Sequence, residues 1–266
     1  MTMEIMHDER VRSVEWRDLC DLSKGDVIHE LFISAPWLIL SLILAHYEFW
    51  FFALGASFMF FLCGLRQVHN AYHYAIGISK RGHEYFMFLF SIIMLGSMHA
   101  VQFNHLRHHR YCMDEEQDVE ARSASMRWWQ AIMFGPKFPI LLHKTALQLG
   151  SRRLRRWVIA ELTANALWIY LVLFVWDIAV LQYHVIVMLV ANCLTAFFAV
   201  WTVHYDCDRT HFIARTIRGR LKSLLTYNMF YHIEHHLFPK VPTRRLQILA
   251  KRLDEVAPEL QKMQVF

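Results

Sequence analysis

The chain has 266 residues, of which 56% are hydrophobic, 15% aromatic and only 19% charged. That balance excludes a disordered polypeptide and is apolar for a soluble domain. The net charge of +5 on such a chain reads as a basic face toward anionic lipid headgroups, not as a nucleic-acid surface.

In chain order, residues 1–30 are polar and mixed in charge, which predicts a cytoplasmic N-terminal segment and no secretory leader. Over 31–69 two apolar runs follow, "LFISAPWLILSLILA" and "FWFFALGASFMFFLCGL", separated near His46 to Glu48. Residues 70–156 carry clustered histidines and end in the basic juxtamembrane stretch "SRRLRRW", Ser151 to Trp157. Over 157–204 come "WVIAELTANALWIYLVLFVW" and "IAVLQYHVIVMLVANCLTAFFAVW", joined at Asp177. Residues 205–266 are hydrophilic again and read as a cap.

No Lys or Arg occurs from Gly25 to Leu65 or from Trp157 to Asp208. Each gap is long enough for two spans of roughly 20 residues joined by a tight turn. All 28 basic residues then lie on one side, which the positive-inside rule assigns to the cytoplasm. The expected fold is an all-α integral membrane protein of two helical hairpins, four spans, with both termini cytoplasmic. Four buried helices of a large soluble core are the bland alternative, but a soluble fold would rarely strip both gaps of basic residues. Cys20, Cys63, Cys112, Cys193 and Cys207 are scattered without a C-x-x-C pair, so they encode neither a zinc ribbon nor an iron–sulfur site.

Of the 17 histidines, eight fall into three combs: His69 and His73, then His105, His108 and His109, then His232, His235 and His236. His204, at the end of the last apolar run, makes a ninth. Positions i, i+3 and i+4 share a helix face, so each comb points its imidazoles one way. Neutral imidazole ligates iron, zinc, copper and nickel. Nine ligands exceed the needs of one ion and suit two.

His69, His204 and the third comb all fall at the predicted cytoplasmic boundary. The second comb joins them only if the apolar stretch Glu84 to Phe103 does not cross, since a crossing would strand it roughly 30 Å away. A re-entrant or interfacial helix is therefore expected there. His7, His29, His46, His143, His184 and His211 read as surface, turn or interfacial histidines, and His83 and His99 as structural ones flanking that stretch.

The boxes H-x-x-x-H, H-x-x-H-H and H-x-x-H-H, in this order around two membrane hairpins, resemble the integral-membrane fatty acid desaturase family, part of a histidine-box diiron desaturase/hydroxylase superfamily. The resemblance runs from about Leu31 to Leu253 and is most specific in "ARTIRGRLKSLLTYNMFYHIEHHLFPKVP". "HLRHHRYCMDEEQDVE" resembles the second box with its acidic follow-on, although the family often has Asp-Pro where this chain has Asp118-Val119. It implies that His69, His73, His105, His108, His109, His204, His232, His235 and His236 ligate two irons in a cytoplasmic helical cap, and that Asn228 sits close to one of them. Some members carry an asparagine four residues before the lone histidine; here that position is Val200. Asp206, Asp208 and Asp118 are candidates to accept the outward ring N–H of ligating histidines, as metal-bound imidazoles commonly require. Glu234 points away from the histidines and is expected to be an outer or surface group, with "FPKVP" ending its helix before an amphipathic one, "TRRLQILAKRLDEV".

The implied activity is O2-dependent attack on unactivated C–H bonds of a lipid, foremost fatty acyl desaturation. Hydroxylase or ketolase action on a fatty acyl, alkyl or carotenoid/terpenoid substrate stays open. Electrons would come from a separate ferredoxin or cytochrome b5 type donor, since no flavin, nicotinamide or haem motif is visible. A zinc-dependent membrane hydrolase would need only three or four ligands. A metal transporter should place its ligands near the bilayer midplane.

Overall fold

The computed structural model describes residues 4–114 and 116–265, and among these it contains helices and turns with one isolated β-bridge, Thr216 to Gln264. A short α1 (Glu9–Arg12) precedes α2 (Lys24–Phe32), which Ser23 and Asp26 start with a reciprocal capping box. α3 (Ala35–His46) continues α2, and α4 (Trp50–Tyr72) returns antiparallel to it after the turn at Glu48. α5 (Lys80–Met94) and α6 (Met98–Tyr111) are bent by 112° against each other. α7 (Trp128–Phe134), α8 (Lys137–Leu149) and α9 (Arg152–Tyr170) follow, the last extended by a π turn at Leu171–Val175. α10 (Ala179–Asn192) leads through a second π turn, Ala196–Trp201, into α11 (Thr202–His204). The cap comprises α12 (Arg220–Leu225), α13 (His232–Leu237) and α14 (Leu246–Val256).

Three helices are long and apolar enough to cross a membrane, Lys24–His46, Trp50–Tyr72 and Arg152–Val175, or up to five if each bent pair counts as one span. The most apolar stretches of the first and third are only 17% and 22% buried, and Phe51 and Phe174 are 83% and 75% exposed. A soluble core would bury these side chains; a hydrocarbon surround accounts for them. Between helices, Ser41, Ser57 and Tyr183 join hydroxyls at 2.7 and 2.8 Å, the kind of interhelical polar link that holds apolar helices together.

The stretch expected not to cross is the sharply bent α5–α6 pair. Leu95 takes a left-handed conformation (φ 57°) at the bend, and Ser97 caps α6 by accepting from the Ala100 amide. Glu161 of α9 holds the turn from the other side through Ser91, Ser97 and His99. Two apolar clusters lie on either side of the histidine combs. One joins α4, α5 and α10 through Phe60, Met87, Phe90 and Met188. The other packs the N-terminal Ile5, Val11 and Leu19 against Ile217, Ile233, Leu249 and Leu253 of the cap.

Candidate metal centre

Each comb is delivered by an element with its own local cause. α4 ends at Tyr72, placing His69 in its last turn and His73 at its C-cap. α6, aimed by the 112° bend, carries His105, His108 and His109. His204 closes α11, and the third comb forms α13, a short helix that begins at His232 because Tyr227 and Asn228 take positive φ just before it. Asn228 therefore lies in the turn before α13 and not in that helix.

All nine expected histidines converge. His105 Nε2 is 3.0 Å from His73 Nε2 and 3.1 Å from His109 Nε2, which is 2.9 Å from His235 Nε2. The His69 ring centroid is 4.0 Å from that of His235, and its buried Nε2 has no hydrogen-bond partner. On the other side, His108 Nε2 lies 3.0 Å from His204 Nε2 and 3.2 Å from His236 Nε2, and His232 Nε2 is 3.0 Å from His204 Nε2. Two sets result: His69, His73, His105, His109 and His235, and beside them His108, His204, His232 and His236.

The outward nitrogens fix the tautomers of three rings. His108 Nδ1–H donates to Asp118 (2.7 Å), His105 Nδ1–H to Glu120 (3.2 Å), and His204 Nδ1–H to the Ile213 carbonyl (2.9 Å). Where both rings are neutral, those outward protons leave the His108 and His204 Nε2 atoms facing each other at 3.0 Å with lone pairs; burial disfavours a second proton on His108, but the Asp118 carboxylate outweighs it and raises the ring's pKa. Burial, reinforced by neighbouring rings, pushes His232, His235 and His236 well below the usual imidazole range, so these rings are neutral and each has one nitrogen free to ligate. Burial also pushes the Glu120 carboxyl up to about 8, against the pull of His108.

Converging lone pairs in a dry interior are repulsive unless a cation lies among them. Two nitrogens bound at right angles to one ion at about 2.1 Å stand about 3 Å apart, which is the spacing the inward nitrogens show. The donor set fits two metal ions.

Residues 32–265 match the fatty acid desaturase family. The chain belongs to the fatty acid desaturase family. Among curated proteins, a 174-residue stretch is 25% identical to a sphingolipid delta(4)-desaturase of Gallus gallus, covering 61% of this chain and 52% of the relative. The chain thus matches about half the length of that relative.

Some expectations are corrected. Asp206 backs no histidine: its side chain is 85% exposed and lies 3.6 Å from the Arg215 guanidinium. Asp208 caps its own loop, accepting from the amides of Thr210 and His211. Asn228 shows no hydrogen bond to any of the nine histidines and lines a different pocket, with Arg66 and Arg244. Glu234 is neither peripheral nor solvated: it is fully buried, accepting from Thr216 Oγ1 and paired with Arg218 at 2.8 Å. His143 and His184 are structural but not at the surface; His143 Nε2 accepts the Ser97 amide, and His184 Nε2 donates to the Ile93 carbonyl. Glu161 carried no motif to flag it, and Glu120 stood unremarked as the last residue of the acidic stretch after the second box.

An apolar cavity abuts the histidines. His69, His105, His108, His204 and His232 line one side, and Leu65, Val101, Leu142 and Val200 are among the apolar walls.

Proposed function

We propose that this protein is an O2-dependent, membrane-bound diiron oxidoreductase that acts on unactivated C–H bonds of a lipid, most simply as a fatty acyl desaturase. The convergence of the nine histidines, eight of them with Nε2 atoms 2.9–3.2 Å from a neighbouring Nε2, carries this reading. His69, His73, His105, His109 and His235 would hold one iron, and His108, His204, His232 and His236 the other. Bound, the irons would supply the redox chemistry that activates O2 for removing hydrogen from a saturated chain.

The residues of the chain do the rest. Asp118 and Glu120 hold ring protons at Nδ1 of His108 and His105, keeping the inward nitrogens basic. The apolar walls exclude water and would lay an alkyl chain against the histidine face. Four spans, with α5–α6 re-entrant, put the centre at the cytoplasmic boundary, where a separate ferredoxin or cytochrome b5 type donor would dock on the basic face. The relative's sphingolipid delta(4) desaturation extends the choice of substrate to long-chain sphingolipids.

The test is metal analysis of the detergent-purified chain together with a lipid profile of the expressing host. About two irons per chain and a new double bond in one lipid class are expected. One zinc per chain with unchanged lipids would overturn the assignment.

A further inference from the structure

The histidine-lined cavity shares a wall with the outside of the molecule. Phe198 and Phe230 border both that cavity and a second, apolar groove between α4 and the π turn ahead of His204. From α4 the groove takes Phe58, Met59 and Leu62; from the end of the π turn and beyond it takes Trp201 and Tyr205. Phe58 is 40% exposed on a helix apolar enough to span, so the groove opens where lipid would lie.

The π turn explains the shared wall. A π turn adds a residue to the helical repeat and shifts which side chains face each way. Ala199 and Val200 face the cavity, Phe197 and Trp201 the groove, and Phe198 both. Phe198 packs edge-on to Phe58 at 5.3 Å. Toward the cap, Phe197, Trp201 and Tyr205 stack at 5.0 and 4.5 Å, and the Arg215 guanidinium lies 3.4 Å over Tyr205. The groove is thus aromatic along its length, and its cap-end residue Tyr205 is backed by the buried Arg215, which pairs with Asp206.

We propose that this groove is the side entrance to the centre. A lipid resident in the bilayer slides its chain past Phe198 into the cavity, keeping its polar head at the cap end. This rests on the oxidoreductase reading of the cavity and sharpens it: the substrate is a lipid presented by the membrane, not an acyl chain delivered from water on a soluble thioester carrier. Continuity of groove and cavity through a partition formed by Phe198 and Phe230 selects a lipid chain over a protein partner as the occupant.

The experiment is photolabelling of the full chain in phosphatidylcholine vesicles doped with a lipid carrying a diazirine in its acyl chain. Labelled peptides are read by mass spectrometry. Wild type should be labelled in the groove, at 58–62 and 197–205, and in the cavity, near Val101 and Leu142. Phe198→Trp overfills the partition and should lower cavity labelling about tenfold while groove labelling stays; Phe198→Ala should raise cavity labelling. Met59→Trp, at the groove itself, should lower both, and it serves if Phe198→Trp does not fold. Cavity labelling without groove labelling, cavity labelling unchanged in both tryptophan variants, or crosslinks from the groove only to other polypeptides would each overturn the side entrance. Labelling needs no turnover, so a protein that binds zinc or leaves lipids unchanged refutes the redox reading separately.

Discussion

His99 Nδ1 lies 2.6 Å from Glu161 Oε1, joining the first turn of α6 to the middle of α9. The same carboxylate accepts from Ser91 Oγ (2.7 Å), Ser97 Oγ (2.5 Å) and the His99 amide (3.2 Å), and it is fully buried. Position and charge favour it: an anion at a helix N-terminus meets unpaired amides and the positive end of the dipole. Glu161→Leu strands three or more buried donors, each worth about 1–3 kcal/mol. We expect it to lower the midpoint of thermal unfolding in detergent sharply and to release metal. Glu161→Gln keeps an acceptor and should fall between; equal stability of all three proteins would refute the clasp.

Asp118 accepts from His108 Nδ1, from the Met113 amide and from the Ala121 amide, so it is itself held in place. Asp118→Asn keeps an oxygen for His108 Nδ1 and the Met113 amide, gives up only the bond from the Ala121 amide, and removes the charge that raises the basicity of the ring. Outer partners of metal-bound histidines typically contribute 10–100-fold in affinity. The measurement is competition with a chelator, in which Asp118→Asn should give up metal at about ten times lower chelator concentration.

The two histidine sets make separable predictions. His235→Ala removes a donor from the set containing His69, His73, His105 and His109, and His108→Ala one from the set containing His204, His232 and His236. Each should lose mainly one of the two ions and all activity, with membrane insertion unchanged. Full activity in either variant would sink that position's assignment. His143→Ala should keep both ions, since its ring meets the Ser97 amide and the Pro139 carbonyl and none of the nine.

At Gly135, between α7 and α8, an added Cβ would lie 1.7 Å from the Cys193 carbonyl oxygen. The backbone of the fourth apolar segment passes too close for any side chain. Gly135→Ala must push α7–α8 away, and overpacking of this kind typically costs about 1–3 kcal/mol. Lower unfolding temperature and reduced yield of monodisperse protein should follow, whereas Gly55→Ala, whose added Cβ meets nothing within 4 Å, serves as the matched control.

The histidine combs were legible in the sequence because their chemistry is unusual and their spacing local: His105, His108 and His109 announce a shared face within one helix turn or so. The bent pair was legible too, since only a turn back could bring those three rings to His69. What escaped was whatever depends on chain reversal between distant elements. Glu161 lies 62 residues from His99, and an isolated acid inside an apolar run says nothing about which turn it will cap. Glu30 escaped likewise: fully buried, it accepts from Arg66 at 2.6 Å and from Asn70 at 2.8 Å, binding α2 to α4 just below His69. Asp206 escaped for a third reason: it stands two residues from His204, but positive φ at Asp206 turns the chain aside, and its side chain is exposed beside Arg215.

Both groups of inward nitrogens draw a member from α13: His235 completes the one and His236 the other. These residues come 166 and 167 positions after His69. A nascent polypeptide therefore has neither set of donors closed until α13 has been made and its histidines have docked against the other combs. Metal loading is thereby tied to completion of the fold, and a truncated or stalled product would present loose histidines but no enclosed cage.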